Sequence, residues 1–244
     1  DVHVHDLLQS IQTSYQDIFF HLHPKPKLLL LSIKQQVKVC NYLAQKLTLF
    51  LLSYFEYHLP LGSVPGLIRN DISDFDRTVK GYLKADPQRV ESIRNELNLE
   101  GKTVVGISWK SFNSLNPLKK SVQLKNMEPI FSGLDVVLVN LQYGDVKDEI
   151  REFKEATGID VIQCASVDNR EDLDGLAALI EVCDLVVSTT NVTVHLAGAL
   201  AKKTWVLLPY VPNFWWGSDR SDSIWYPNAS LYRQPKLNDW DSVY

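Results

Sequence analysis

The sequence predicts an α/β fold with a doubly wound parallel sheet, and three observations carry that prediction. From Lys102 onward, short runs rich in Val, Ile and Leu alternate strictly with helical periods. The runs are apolar on both faces, as strands covered by helices on either side must be. Residues 183–209 spell out a complete unit: a Val-rich strand, a polar turn at Thr189-Thr190-Asn191, a small-residue helix, and a strand stopped by Pro209.

Taken in order, residues 6–20 fit an amphipathic helix and 27–33 a strand. Residues 33–57, Leu-rich and free of Gly and Pro, fit a long helix. Residues 59–66 are turn-dense and 70–80 polar, so both read as loop. Asp86 as N-cap and Pro87 at the first helical position start a helix with Val90, Ile93 and Leu97 on one face, ended by Gly101. This spacing predicts two domains, 1–95 and 96–244. The second alternates strand 103–109, helix 124–131, strand 135–142, helix 146–157, strand 160–163, helix 173–182, strand 184–188, helix 192–201 and strand 204–208. Right-handed crossovers put every strand-to-helix loop on one edge. Residues 210–244 hold four of the six tryptophans without helix or strand periodicity. They read as an aromatic flap beside that edge, or alternatively as packing against the other domain.

Composition narrows the function classes. With 45% hydrophobic residues, 22% charged residues and a formal charge of -4, the chain suits one or two globular domains and not a basic nucleic-acid binder. Three scattered cysteines without a CxxC fit a reducing, cytoplasmic setting. The pairs His3/His5 and His21/His23 lack a carboxylate or Cys cluster at ligand spacing, so no metal site is expected. The chain opens at Asp1 without methionine, as a fragment or a chain lacking its native start would. No GxGxxG or GxxxxGK[ST] occurs, nor a G-x-S-x-G elbow. What the ligand edge offers instead is Lys110, Lys119 and Lys120, the helix start at Asn191 and Thr193, and His195 one turn further in. Lysines beside a helix N-terminus suit a diphosphate; each also reads as a solvated surface lysine, and His195 as a core histidine.

At this point the residues resemble a family. GYLKADP (81–87), VGISWK (105–110), KKSVQL (119–124), NLQYGD (140–145), the run from Asn191 to Gln234, SDSIWYP (221–227) and NDWDSV (238–243) occur in the order seen in bacterial GT-B glycosyltransferase-like proteins associated with tetratricopeptide repeats. Those are related to the lipopolysaccharide heptosyltransferases of glycosyltransferase family 9 and distantly to O-GlcNAc transferases. The resemblance covers about residues 59–244. It implies two Rossmann-like domains facing a cleft, the first one short or truncated, with the second binding a nucleotide-diphosphate sugar. No cofactor or metal would be needed for transfer of the sugar to an acceptor hydroxyl. The acceptor, whether a glycan, a lipid-linked saccharide or a protein, stays open; a lipid-linked one would bring the protein to a membrane surface.

Carried over by position, Ser108, Trp109 and Lys110 match the first donor loop, and Lys119 and Lys120 a phosphate- or ribose-contacting lysine. Gln142 and Tyr143 match a second loop. Thr190, Asn191, Val192, Thr193 and His195 match the diphosphate-binding helix start, and Trp216, Gly217, Trp225 and Tyr226 the flap. Base recognition in the family uses backbone groups near residues 162–168. The chain departs from the family pattern at Thr190-Asn191, where an Asp-Thr pair is frequent, so a carboxylate is missing. The catalytic base would come from residues 1–80 and no residue can be assigned to it. A non-catalytic nucleotide-sugar-binding module and a nucleotide-sugar epimerase are the competing readings.

Overall fold

The computed structural model describes residues 67, 69–75, 81–111 and 120–244. The expectations for residues 1–66, 76–80 and Lys119 lie outside them, as do the histidine pairs. The chain divides into two units, Asp1–Asp76 and Arg77–Tyr244. In the first, Asp71 caps a 3-10 turn, Ile72–Asp74, and Asp74 returns bonds to the Asn70 and Asp71 N–H groups.

The second unit holds a six-stranded, wholly parallel sheet. Its strands are β1 (Val104–Ser108), β2 (Val137–Asn140), β3 (Val161–Ile162), β4 (Leu185–Thr189), β5 (Thr204–Leu208) and β6 (Ala229–Arg233), in the order 3-2-1-4-5-6. The described helices are α1 (Pro87–Glu96), α2 (Glu128–Phe131, entered through a 3-10 turn), α3 (Lys147–Thr157), α4 (Leu173–Glu181) and α5 (Val192–Ala199). The α/β class and the parallel sheet are as the sequence predicts. Helix α1 packs against α4, within the unit that carries the sheet.

Local chemistry explains the element ends. Asp86 accepts from the Gln88 N–H with Pro87 at the first position. Asp172 caps α4 through the Gly175 N–H, and Asn191 caps α5 through the Thr193 N–H. Gly158 closes α3 at φ 75°, a conformation glycine adopts without a Cβ penalty. The pleat of β1 sends alternate residues to opposite sides. Val104 joins a core with Val139, Val186, α1 and α4, while Val105 and Ile107 join another with Met127, Phe131, Ile150 and Phe153. Gly106 faces the first core; a Cβ there would lie 2.4 Å from Leu141 Cδ1 and 2.8 Å from Cys183 Sγ. Trp240, Val243 and Tyr244, at the far end of the sequence, pack into the second core.

One correction concerns the tail. Residues 210–244 are not irregular throughout: Phe214–Trp216 form a 3-10 turn, and Ala229–Arg233 pair with β5 as a sixth parallel strand, Leu231 opposite Val206. A five-residue strand with two exposed positions leaves little periodicity to detect, and the flanking aromatics hid it.

Candidate nucleotide site at the strand carboxyl ends

The strand order reverses at β1, which has β2 on one side and β4 on the other. In open parallel sheets the crevice beyond such a switch point is where ligands bind. Here the crevice lies between the carboxyl ends of β1 and β4, and Asn191 bridges it. Its Nδ2 donates to Ser108 Oγ (2.7 Å) and to the Lys110 carbonyl (3.1 Å), while its Oδ1 accepts from the Thr193 N–H (3.0 Å).

Gln142 completes the network from β2. Its Oε1 accepts from Ser108 Oγ at 3.0 Å, the Trp109 N–H at 2.9 Å and the Lys110 N–H at 2.7 Å. Its Nε2 donates to the Tyr143 carbonyl. Ser108, Gln142 and Asn191 are all buried, so three of the sequence-assigned residues hold one another and fix the loop backbone. Trp109 is fully buried and donates through Nε1 to Glu149 Oε2 (2.9 Å). Lys110 forms an ion pair with the same Glu149 carboxylate. Glu149 was not a sequence candidate; an ion pair between a β1 loop and the first turn of α3 leaves no sequence spacing to find.

The start of α5 keeps open functions. Its first-turn N–H groups lack intrahelical partners, as at every helix start, and only Thr193 is answered by the cap. Val192 is 49% exposed at this end. The Thr189 and Thr193 hydroxyls are buried without a hydrogen-bond partner. Lys120 Nζ bonds the neutral Asn213 amide oxygen at 3.2 Å, so no carboxylate offsets its charge in that contact.

The aromatic tail converges on the same end. Trp216 is buried against Val194, Val206 and Leu208, and its Nε1 donates to Thr190 Oγ1 at 2.9 Å. His195 stacks on Trp216 at 5.3 Å with 19° between planes, and its Nδ1 lies 3.1 Å from the Tyr226 hydroxyl. Gly217 follows at φ 62°, and the Trp225 N–H bonds Ser223 Oγ. Phe214 and Val211 stay about three-quarters exposed. Thus Trp216, His195 and Tyr226 form one packed aromatic cluster, while Phe214 and Val211 stay in solvent.

Burial without a charged partner pushes the His195 pKa below the ordinary imidazole value. The unfolded chain then binds the proton more readily than the folded one. His195 should contribute nothing pH-dependent above about pH 6.5, and stability should fall as pH drops from there to the folded value. A His195→Gln variant should lose that part of the slope in thermal melts between pH 7 and 5. An unchanged slope would contradict the burial argument.

A separate cleft of about 690 Å³ opens across the carboxyl ends of β2 and β3. Asn140, Gln142, Gly144 and Lys147 line one side, and residues 163–170 with Asp172 the other. Asn169 ties the two, donating Nδ2 to the carbonyls of Asn140 (3.1 Å) and Gln142 (3.2 Å). Among the described residues no group of three metal-ligating side chains occurs, and no helix is long and apolar enough to cross a membrane.

No protein-family model matches the chain. Protein FlbA of Caulobacter vibrioides is 30% identical over 189 residues, which cover 77% of this chain and 31% of FlbA. The ADP-heptose lps heptosyltransferase II of E. coli is a similar solved structure: TM-score 0.47, 14% identity, 67% of this chain and 49% of that one. A glycosyl transferase family 9 structure from Veillonella parvula gives TM-score 0.48 at 12% identity, over 64% and 43% of the two chains. The chain thus spans under half the length of each of these three proteins.

Proposed function

We propose that this protein is a glycosyltransferase that binds a nucleotide-diphosphate sugar at the carboxyl edge of its parallel sheet and transfers the sugar to an acceptor hydroxyl without a metal ion. The observation that carries the reading is the juxtaposition of two features on one edge. The switch-point crevice opens onto the start of α5, and the cleft at β2 and β3 adjoins it through Gln142, which belongs to both.

In this reading the nucleoside occupies the cleft and the diphosphate meets the α5 start and Lys120. Ser108, Gln142 and Asn191 act by holding the β1 loop. Trp216 and Tyr226, from the flap, pack around His195. As the acceptor oxygen bonds the anomeric carbon and gives its proton to a base contributed by residues 1–80, the carbon–oxygen bond to phosphate breaks and its electron pair leaves with the nucleoside diphosphate. In this reading the helix dipole and the Lys120 ammonium stabilise that charge. A binding module without turnover draws support from the same internal satisfaction of Ser108, Gln142 and Asn191, which are spent on structure.

Calorimetry with ADP, UDP, GDP and CDP tests the site. One or more should bind, and Lys120→Ala should weaken that binding about tenfold, as loss of one charge-assisted contact does. Failure of all four to bind would sink the reading, and unchanged affinity in the variant would remove Lys120 from the site. Sugar release from the matching nucleotide sugar in EDTA separates the transferase from the binding module.

A further inference from the structure

The 163–172 loop that walls the cleft is gripped at both ends by one helix. Arg89 and Glu96 stand seven residues apart on α1, two turns along the same stripe and about 10 Å apart along the axis. At one end, the Arg89 guanidinium meets Asp172 with both nitrogens: Nη1 donates to Oδ1 at 3.0 Å and Nη2 pairs with Oδ2. Asp172 also caps α4 through the Gly175 N–H at 2.9 Å. Position 175 must be glycine for this: a Cβ there would lie 2.2 Å from Asp172 Oδ2 and 2.6 Å from Arg89 Nη2. At the other end, Glu96 Oε1 accepts from the Ala165 N–H at 2.7 Å, the Ser166 N–H at 3.3 Å and Cys164 Sγ at 3.5 Å. Ile93 between them is buried in the core beneath α4, so the helix itself is fixed.

We infer that α1 is a brace for the nucleoside cleft, with Glu96 and Arg89 as positioning residues that set the shape of the 163–172 loop before ligand arrives. This rests on the nucleotide reading above. The loop carries no regular structure of its own between β3 and α4, and two of its N–H groups answer to Glu96 rather than to a strand or helix. Without the brace the loop must be ordered at the expense of binding. The Ser166 hydroxyl and the Ala165 N–H hold the Glu96 carboxyl below the usual carboxylate range, so the grip persists at neutral pH.

The test compares nucleoside diphosphate with inorganic pyrophosphate, which has no nucleoside to seat. In Glu96→Ala, affinity for the nucleoside diphosphate should fall five- to tenfold while pyrophosphate affinity stays within twofold of the parent. Glu96→Gln keeps an acceptor oxygen and should restore the nucleoside diphosphate affinity. A merely destabilised protein would lose both ligands together. Equal nucleoside diphosphate affinity in parent and Glu96→Ala overturns the brace alone; no binding by the parent overturns the nucleotide reading. Should Glu96→Ala not fold, amide exchange of ligand-free parent protein decides. Exchange at Ala165 and Ser166 slowed at neutral pH relative to the unfolded chain supports the brace, and unprotected exchange there overturns it.

Discussion

Gln142→Ala should cost about 3 kcal/mol of folding stability and remove measurable nucleotide affinity. The Gln142 oxygen is the acceptor for the Trp109 and Lys110 N–H groups as well as Ser108 Oγ. The Ser108 hydroxyl can turn elsewhere, but the two backbone N–H groups cannot. Each buried donor left unmade costs about 1–3 kcal/mol, and a domain holds only about 5–15 kcal/mol in total. The β1 loop would also lose the register that Asn191 reads at Ser108 and Lys110. Urea denaturation and calorimetry check the two effects. A variant that loses stability but keeps full affinity would show that this network shapes the fold and not the site.

Trp216→Ala should be the costlier change, about 4 kcal/mol, as truncation of a buried tryptophan is. Trp216 is 1% exposed, packs on residues of α5, β5 and β6, and bonds Thr190. Its loss opens a cavity beneath His195 and frees the Thr190 hydroxyl at the α5 start. Trp216→Phe keeps most of the packing and drops the bond, so it should cost about 1 kcal/mol on top of a smaller cavity. Denaturant midpoints for the pair separate the two contributions. Equal stability in Trp216→Ala and the parent would mean that the tail is an appendage, contrary to its burial.

The sheet was legible because burial on both faces leaves a compositional mark. Strand 204–208 was read to the residue, and α3 missed by one at its start. The crevice was legible too, since Thr190-Asn191 ahead of a small-residue helix is a local cap pattern. What could not be read was the partnering of side chains distant in sequence. Ser108 and Gln142 were singled out by the family resemblance and Asn191 by its place at a helix start, yet no spacing says that they face one another. Glu149 answers Lys110 across 39 residues, and Glu96 grips a loop 69 residues away. The tail failed for another reason: aromatic density is the same whether the rings cover a ligand or a core, and Trp216 and Phe214 do opposite things two residues apart.

The return of Trp240, Val243 and Tyr244 to the core around β1 has a consequence for how the unit is made. A chain emerging from the ribosome could pair β1 with β2 early, but the core beneath that pair stays unfilled until residues 240–244 emerge. Pairings this distant in sequence slow folding, because loop closure precedes the contacts that reward it. The sheet also gains β6, its last edge, only after residue 233. Until then β5 presents an unpaired edge, a template for another chain. Synthesis therefore passes through a window, about thirty-five residues wide from the end of β5 to Val243, in which nascent chains can associate and a chaperone has reason to bind.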